Sequence, residues 1–178
     1  KEVYKAELIL KVKEPITPEY DLLQHKQKLF CFFHLAADPA LAKVLLEKKI
    51  ASFAYETVTN NQHRFPILAP MSEVAGKAAA FQAAYCLQAA HGGNGTLLNG
   101  AEGAHPAKVL ILGAGIAGTA ACKTAVGAGA DVTILDINES RLRTLSQAFG
   151  DKLNTDLSTP ENIEKYATNT DALIGCVL

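Results

Sequence analysis

The protein has 178 residues, of which 49% are hydrophobic and 20% are charged, a composition typical of a folded globular protein. Its formal net charge is −1, with 17 basic residues dispersed among 18 acidic ones, so neither nucleic acid nor a membrane surface is an expected partner. No apolar run reaches the roughly 18 residues of a membrane span, and the start has no secretory pattern, so we expect a cytoplasmic protein. Four widely spaced cysteines form no CxxC pair, which favours buried, reduced thiols.

The first 65 residues alternate short apolar runs with helix-prone segments. Three runs have the β-branched and aromatic content of strands, and they cover residues 6–12, 29–35 and 50–58. The segments between them, 18–27 and 39–49, favour helices. We therefore expect a βαβαβ unit, part of an α/β substrate domain, in residues 1–65.

Residues 72–90 are rich in alanine, contain no proline and contain one glycine. Alanine has the strongest helix propensity, so this stretch predicts a long helix with Ser72 as its N-cap. The small side chains would permit close approach of another helix, so the segment could join two domains or form a subunit contact. A glycine-rich connector follows at 91–106.

From residue 109 onward, strands and helices alternate regularly. The predicted strands are 109–112, 131–135 and 171–176, and the predicted helices are 116–127, 139–149 and 160–167. This alternation predicts a Rossmann-type, doubly wound parallel sheet, of which three strands are present. We assign residues 66–178 to this second domain. Because the chain stops within an apolar run, we expect it to be a piece of a longer protein.

The turn after the first of these strands carries the pattern GxGxxG. It consists of Gly113, Ala114, Gly115, Ile116, Ala117 and Gly118. The pattern alone is weak, but here it follows a strand and opens a helix, and Asp136 ends the next strand 23 residues after Gly113. This context matches the complete dinucleotide-binding fingerprint.

Each part of that fingerprint has a physical role. Gly113 permits a tight turn, Gly115 removes a Cβ that would block the pyrophosphate, and Gly118 allows close packing of the helix on the sheet. Backbone N–H groups at the helix start then bind the phosphates. We expect Asp136 to accept hydrogen bonds from the adenosine ribose and to repel a 2′-phosphate, which predicts NAD rather than NADP.

Two alternatives stay open for these residues. The glycines could belong to another kind of doubly wound domain, with Asp136 serving as the N-cap of the next helix. Arg141, in the first turn of that helix, could stack near the adenine or simply be solvated.

Two further candidates lie in the first domain. Lys11 and Lys13 precede Pro15, which disfavours helical geometry at Glu14 and places these charges at a strand-to-loop edge, where either lysine could also be only solvated. His34 follows an apolar run, and a single histidine there is more often a satisfied core residue than a catalyst.

Six short segments, in order along the whole chain, resemble the alanine dehydrogenase family. They are Lys-Val-Lys-Glu-Pro (11–15), His-Leu-Ala (34–36), Ala-Tyr-Glu-Thr-Val (54–58), Leu-Ala-Pro-Met-Ser-Glu-Val-Ala-Gly (68–76), Leu-Gly-Ala-Gly-Ile-Ala-Gly (112–118) and Val-Thr-Ile-Leu-Asp-Ile-Asn (132–138). The Pro-Met-Ser-Glu-Val-Ala-Gly block is shared with the NAD-binding subunit of proton-translocating transhydrogenase, whereas the first two segments are typical of the dehydrogenases.

The resemblance implies reversible, NAD-dependent oxidative deamination of L-alanine to pyruvate and ammonium by a homo-oligomer, usually a hexamer. It assigns contact with the keto acid to Lys13 and proton transfer to His34, with Glu56 supporting the site. The residues that resemble cofactor neighbours are Met71, Ser72, Val177 and Leu178. The family's carboxylate-binding arginine would precede Lys1 and its catalytic aspartate would follow Leu178, so we expect an incomplete active site.

Two rival functions stay open. The first is a transhydrogenase-like NAD-binding module that uses no amino acid, and the second is an inactive remnant of the dehydrogenase. No cluster of His, Asp or Glu has the spacing of metal ligands, so no metal is expected.

Overall fold

The computed structural model describes residues 2–177. The chain separates into two compact units, the first extending to Ala69 and the second beginning at Pro70. Each unit contains its own parallel sheet and its own apolar core. The predicted α/β class is therefore confirmed.

The first unit is built on a three-stranded parallel sheet in the order β1-β2-β3. Its strands are β1 (Leu8–Leu10), β2 (Lys28–Cys31) and β3 (Ala51–Ala54), and helix α1 (Pro39–Glu47) connects the last two. Side chains from the sheet, the helix and one connection form the core, which consists of Ile9, Leu23, Leu29, Cys31, Phe33, Leu41 and Leu45.

The first connection of this unit differs from the helix predicted at 18–27. It is a short 3-10 helix, Thr17–Leu22. The helix ends there because Leu23 adopts an extended backbone and buries its side chain in the core. The second and third strands are also shorter than predicted, since a further 3-10 turn follows each of them, at Leu35–Ala37 and at Tyr55–Thr57.

The second unit contains four parallel strands in the order β6-β5-β4-β7. They are β4 (Lys108–Leu112), β5 (Asp131–Asp136), β6 (Leu153–Leu157) and β7 (Ala172–Gly175). The connecting helices are α3 (Ile116–Ala128), α4 (Glu139–Phe149) and α5 (Pro160–Ala167). Counted within the unit, the order is 3-2-1-4, which is the first half of a Rossmann sheet and confirms the predicted fold.

Strand β6 was not anticipated, and the expectation of three strands in this unit is wrong. Its sequence, Leu-Asn-Thr-Asp-Leu, is largely polar, and Leu153 is its buried residue. The strand lies at the edge of the sheet, where it pairs with β5. An edge strand does not need an apolar run, so a search for such runs overlooks it.

The alanine-rich segment forms helix α2 (Leu68–Leu87), which begins before Ser72. The prediction that Ser72 is the N-cap is therefore wrong. Pro70 is accommodated in the first turn, where a backbone N–H has no partner within the helix. The expected close approach of another helix is present, because an added Cβ on Gly76 would collide with the carbonyl oxygen of Ala117 in α3.

All four cysteines are free, but they differ in exposure. Burial raises the pKa of Cys31 to about 12 and that of Cys122 to about 11, so both are thiols at neutral pH. Cys176 is half-buried. Cys86 is exposed, contrary to the expectation, because α2 buries the face that carries Ala80 and Leu87 instead.

Within residues 2–177, no helix combines the length and hydropathy that crossing a membrane requires.

Gly118 and Gly127 both lie in α3, and only the first is confined. A Cβ on Gly118 would collide with the carbonyl oxygen of Gly113, whereas a Cβ on Gly127 would meet nothing within 4 Å. We expect Gly118→Ala to lower the free energy of unfolding by about 1–3 kcal/mol, the range for overpacking. We expect Gly127→Ala to raise it by up to about 1 kcal/mol, because alanine favours a helix. Urea unfolding checks both, and equal effects would contradict the close packing of this turn.

Candidate functional site

The turn between β4 and α3 has the backbone geometry of a phosphate-binding turn. Gly113 has a φ of +99°, in the left-handed region, and an added Cβ there would lie 2.7 Å from Val177 Cγ1. At Gly115 an added Cβ would enter open space. Helix α3 begins directly afterwards without a side-chain cap, so its first backbone N–H groups can bind an anion.

A cavity of about 390 Å³ lies beside this turn. Its lining combines the turn with charged side chains of three helices: Glu73, Lys77, Ala114, Gly115, Ile116, Thr119, Ala120, Lys123 and Arg141. Glu73 is already paired with Lys77, at 2.6 Å. The balance of charge around the cavity is therefore positive, which suits an anionic ligand.

Asp136, at the end of β5, is buried and holds the glycine turn in place. Its carboxylate accepts hydrogen bonds from the N–H groups of Ala114 at 2.5 Å and Asn138 at 2.7 Å. Arg141 Nη1 lies 4.0 Å from the same carboxylate. Asn138 is the N-cap of α4, so the alternative in which Asp136 caps that helix is wrong. Contact between Asp136 and a ribose stays a prediction that would use the remaining lone pairs of the carboxylate.

Of the other predicted cofactor neighbours, Val177 lies beside the turn and Ser72 lies on α2, the helix that packs against α3. Val177 is exposed just after β7, and its side chain approaches Gly113. Ser72 lies one helical turn before Gly76, on the same face of α2, and Gly76 packs against Ala117. Leu178, another predicted cofactor neighbour, lies outside the described residues.

Lys11 and Lys13 lie in the loop after β1 and have different surroundings. Lys11 Nζ pairs with Glu19 Oε2 at 2.5 Å, and Glu19 also accepts hydrogen bonds from the Tyr4 hydroxyl at 2.6 Å and the Ile16 N–H at 2.9 Å. Lys13 is exposed to solvent. Strand β1 ends at Leu10, so it is shorter than the run predicted at 6–12 and neither lysine lies within it.

His34 has an unusual backbone and an exposed side chain. Its φ of 48° and ψ of 37° lie in the left-handed region, which it shares with Lys26, Lys49 and His63 and which costs of order 1–3 kcal/mol for a residue with a Cβ. The imidazole stacks on Phe32, with ring centroids 6.0 Å apart and planes inclined by 14°. Because the residue is exposed, the alternative of a satisfied core histidine is wrong.

Glu56 lies in the turn after β3 and reaches the backbone of His34. Its Oε1 accepts hydrogen bonds from the N–H groups of Phe33 at 3.0 Å and His34 at 2.9 Å. Burial raises the pKa of the Glu56 carboxyl, but backbone hydrogen bonds outweigh it and hold that pKa below its ordinary value. Glu56 is therefore a carboxylate at neutral pH.

Both parts of the chain match models of one protein family. Residues 1–75 match "Alanine dehydrogenase/PNT, N-terminal domain", and residues 79–178 match "Alanine dehydrogenase/PNT, C-terminal domain". The chain belongs to the alanine dehydrogenase/PNT family.

Individual members of the alanine dehydrogenase/PNT family agree with this assignment. The chain is 49% identical to alanine dehydrogenase of Methanococcus maripaludis over 100% of its length, and 46% identical to alanine dehydrogenase 2 of Staphylococcus aureus (strain USA300) over 99%. It covers 48% and 47% of those two proteins, so it spans about half the length of the curated relatives it matches.

Solved structures show the same architecture. An L-alanine dehydrogenase superposes with a TM-score of 0.87 at 43% identity, over 99% of this chain and 49% of that one. The transhydrogenase from Sinorhizobium meliloti shares the fold, with a TM-score of 0.73 at 20% identity, over 98% of this chain and 51% of that one.

In this member of the alanine dehydrogenase/PNT family, the predicted site residues form two groups. The glycine turn, Asp136, Arg141 and Val177 meet at the carboxyl ends of the strands of the second unit. Lys13 and His34 follow neighbouring strands of the first unit, and the segments that carry them are joined by a hydrogen bond of 3.1 Å from the Phe32 N–H to the Val12 carbonyl oxygen. Glu56 was expected only to support the site, and its contact with His34 was not anticipated.

The residues present fit a dinucleotide cofactor. The open space at Gly115 leaves room for a pyrophosphate, and the start of α3 offers N–H donors. The charged side chains that line the adjoining cavity are mainly basic. Among residues 2–177, no group of three or more His, Cys, Asp or Glu side chains could hold a metal ion.

The Lys11–Glu19 pair makes the stability of the first unit depend on pH. Burial raises the pKa of Glu19, but hydrogen bonds from Lys11, Tyr4 and the Ile16 N–H lower it from 4.5 to about 2. Because the folded-state pKa lies below the unfolded value, this stabilisation is complete above that unfolded value and is lost as the pH falls toward the folded one.

We therefore expect Glu19→Gln to lower the free energy of unfolding at neutral pH by about 2 kcal/mol, after allowance for solvent screening. We also expect this variant to lose stability less steeply than the unsubstituted protein as the solution is acidified. Unfolding measured across an acidic pH series checks both points, with Glu2→Gln, in an exposed pair with Lys5, as the control. Parallel pH profiles for Glu19→Gln and the unsubstituted protein would contradict this account.

Proposed function

We propose that this chain is part of an NAD-dependent alanine dehydrogenase, which converts L-alanine reversibly to pyruvate and ammonium. The observation that carries the proposal is the glycine turn, which leaves open space at Gly115 beside a cavity lined mainly by basic charged side chains. Both halves of the chain also match the alanine dehydrogenase/PNT family. A cytoplasmic location and a homohexamer belong to the same proposal, and the family resemblance supports them.

The cofactor would bind through the second unit. Its phosphates would accept hydrogen bonds from the backbone at Gly115, Ile116 and Ala117, and Arg141 would face the adenosine end. Asp136 would use its remaining lone pairs for the ribose hydroxyls and would disfavour a 2′-phosphate, so NAD is preferred to NADP. When bound, NAD supplies the acceptor for the hydride from the substrate Cα.

The substrate chemistry would depend on the first unit. Lys13 would attract the substrate oxygens and favour the negative charge that develops on them. Loss of the hydride from the substrate Cα would leave an imine. His34 would accept a proton from the water that attacks this imine and return it when ammonia leaves, because an imidazole can act first as base and then as acid. The exposed ring of His34 and its held backbone support this assignment.

We expect His34→Ala, in the longest natural form of the protein that contains these residues, to reduce alanine-dependent NADH formation by at least about a hundredfold. The affinity for NADH should stay unchanged, because the glycine turn is untouched. Absorbance of NADH measures the reaction, and NADH fluorescence measures binding. His25→Ala, which removes another exposed histidine of the same unit, is the matched control.

The outcomes separate the competing functions. Full turnover by His34→Ala would remove this residue from the mechanism. If the unsubstituted protein binds NADH but does not reduce NAD with L-alanine, a transhydrogenase-like module or an inactive remnant replaces the dehydrogenase. Parallel assays with NADP and with glycine test the choice of cofactor and amino acid.

A further inference from the structure

The turn that follows β3 supports His34 from two directions. On the side-chain side, the Tyr55 ring packs edge-on against Phe32, with centroids 5.2 Å apart, and Phe32 stacks on the imidazole of His34. Tyr55 is itself held by Phe30, at a centroid distance of 4.4 Å. On the backbone side, the adjacent Glu56 binds the peptide of His34.

The Glu56 contact uses mainly one carboxylate oxygen. Oε1 accepts from both the Phe33 and the His34 N–H groups, at 3.0 and 2.9 Å, and Oε2 accepts a second, longer hydrogen bond from the Phe33 N–H at 3.3 Å. These donors come just after β2 has ended at Cys31, so the ladder with β3 no longer pairs them. The left-handed backbone of His34 is therefore fixed by an acceptor from the turn that follows β3.

We propose that Glu56 is a positioning residue for proton transfer. By binding two successive N–H groups through Oε1, it holds the left-handed backbone at His34 and so fixes where the imidazole can reach. The acceptor oxygen, rather than the negative charge, carries this role. The inference rests on the proposed function, in which His34 moves the proton.

Two kinds of substitution separate geometry from charge. Glu56→Gln removes the charge but keeps a side-chain oxygen that can accept from both N–H groups, whereas Glu56→Ala removes the acceptor. Glu56→Met, which keeps the side-chain length without that oxygen, is a second removal variant. Asn60→Ala is the matched control, because Asn60 Oδ1 also accepts from two backbone N–H groups of this unit, those of Gln62 at 2.9 Å and Arg64 at 3.1 Å.

In the longest natural form of the protein, we expect both removal variants to lower kcat for alanine oxidation by about tenfold or more, with the KM for NAD and the affinity for NADH changed less than about twofold. Glu56→Gln and Asn60→Ala should keep kcat within about twofold of the unsubstituted value. A Glu56→Gln variant that loses as much kcat as the removal variants would overturn the proposal, because charge would then carry the role. Unchanged kcat in the removal variants would overturn it as well.

A double substitution tests whether Glu56 acts through His34. In the His34→Ala background, Glu56→Ala should cause less than about twofold further loss, because the group that it positions is already absent. Multiplicative losses would show that Glu56 acts independently and would overturn the proposal.

Hydrogen exchange distinguishes failure of this inference from failure of the proposed function. The amides of Phe33 and His34 should exchange faster in both removal variants and at the unsubstituted rate in Glu56→Gln. If that pattern appears but His34→Ala retains full turnover, the backbone contact stands and the function assigned to His34 fails. If exchange is unchanged in the removal variants, the positioning role itself fails.

Discussion

A parallel strand that ends leaves the next backbone N–H groups without a ladder partner, and these donors need an acceptor if the turn is to stay fixed. Both units meet this requirement with a carboxylate at the end of the adjacent parallel strand. Asp136, ending β5, accepts from Ala114 after β4, and Glu56, just after β3, accepts from Phe33 and His34 after β2. The glycine turn and His34 lie in the turns that are held in this way.

Holding the turn also changes the electrostatics of the nucleotide site. The Asp136 carboxylate is buried, and each of its oxygens already accepts one backbone N–H, so less of its negative charge faces the cavity. The positive charge that remains comes mainly from Lys123 and Arg141, because Lys77 is paired with Glu73. Asp136, which is predicted to bind the ribose, thus also holds the glycine turn through its hydrogen bonds. The cavity beside it keeps a positive charge that attracts phosphate.

The parts of this structure that sequence could predict are those that depend on local pattern. The glycine turn follows from the spacing of Gly113, Gly115 and Gly118 between a strand and a helix, and the long helix follows from alanine content. Edge strand β6 was not predicted, because its pairing with β5, and not its composition, makes it a strand. The contact of Glu56 with Phe33 depends on register: Lys28 pairs with Ala51, an offset of 23, which also places Phe33 opposite Glu56. Knowledge of that pairing would have revealed the contact, whereas apolar runs alone do not fix a register.

The positions of Asp136 and Glu56 nevertheless require different hydrogen-bonding groups. Asp136 divides its donors between its oxygens, one N–H to Oδ2 and one to Oδ1, so both atoms must be acceptors. An amide in its place would turn an NH₂ group toward a backbone N–H and leave a buried donor unsatisfied. Both donors near Glu56 bind Oε1, and the longer bond to Oε2 comes from the Phe33 N–H, which Oε1 already accepts, so a single oxygen can accept from both N–H groups. The backbone beside the glycine turn therefore requires a carboxylate at Asp136, whereas the backbone at His34 requires only an acceptor oxygen at position 56. The sequence alone shows an acidic residue at both positions and does not distinguish them.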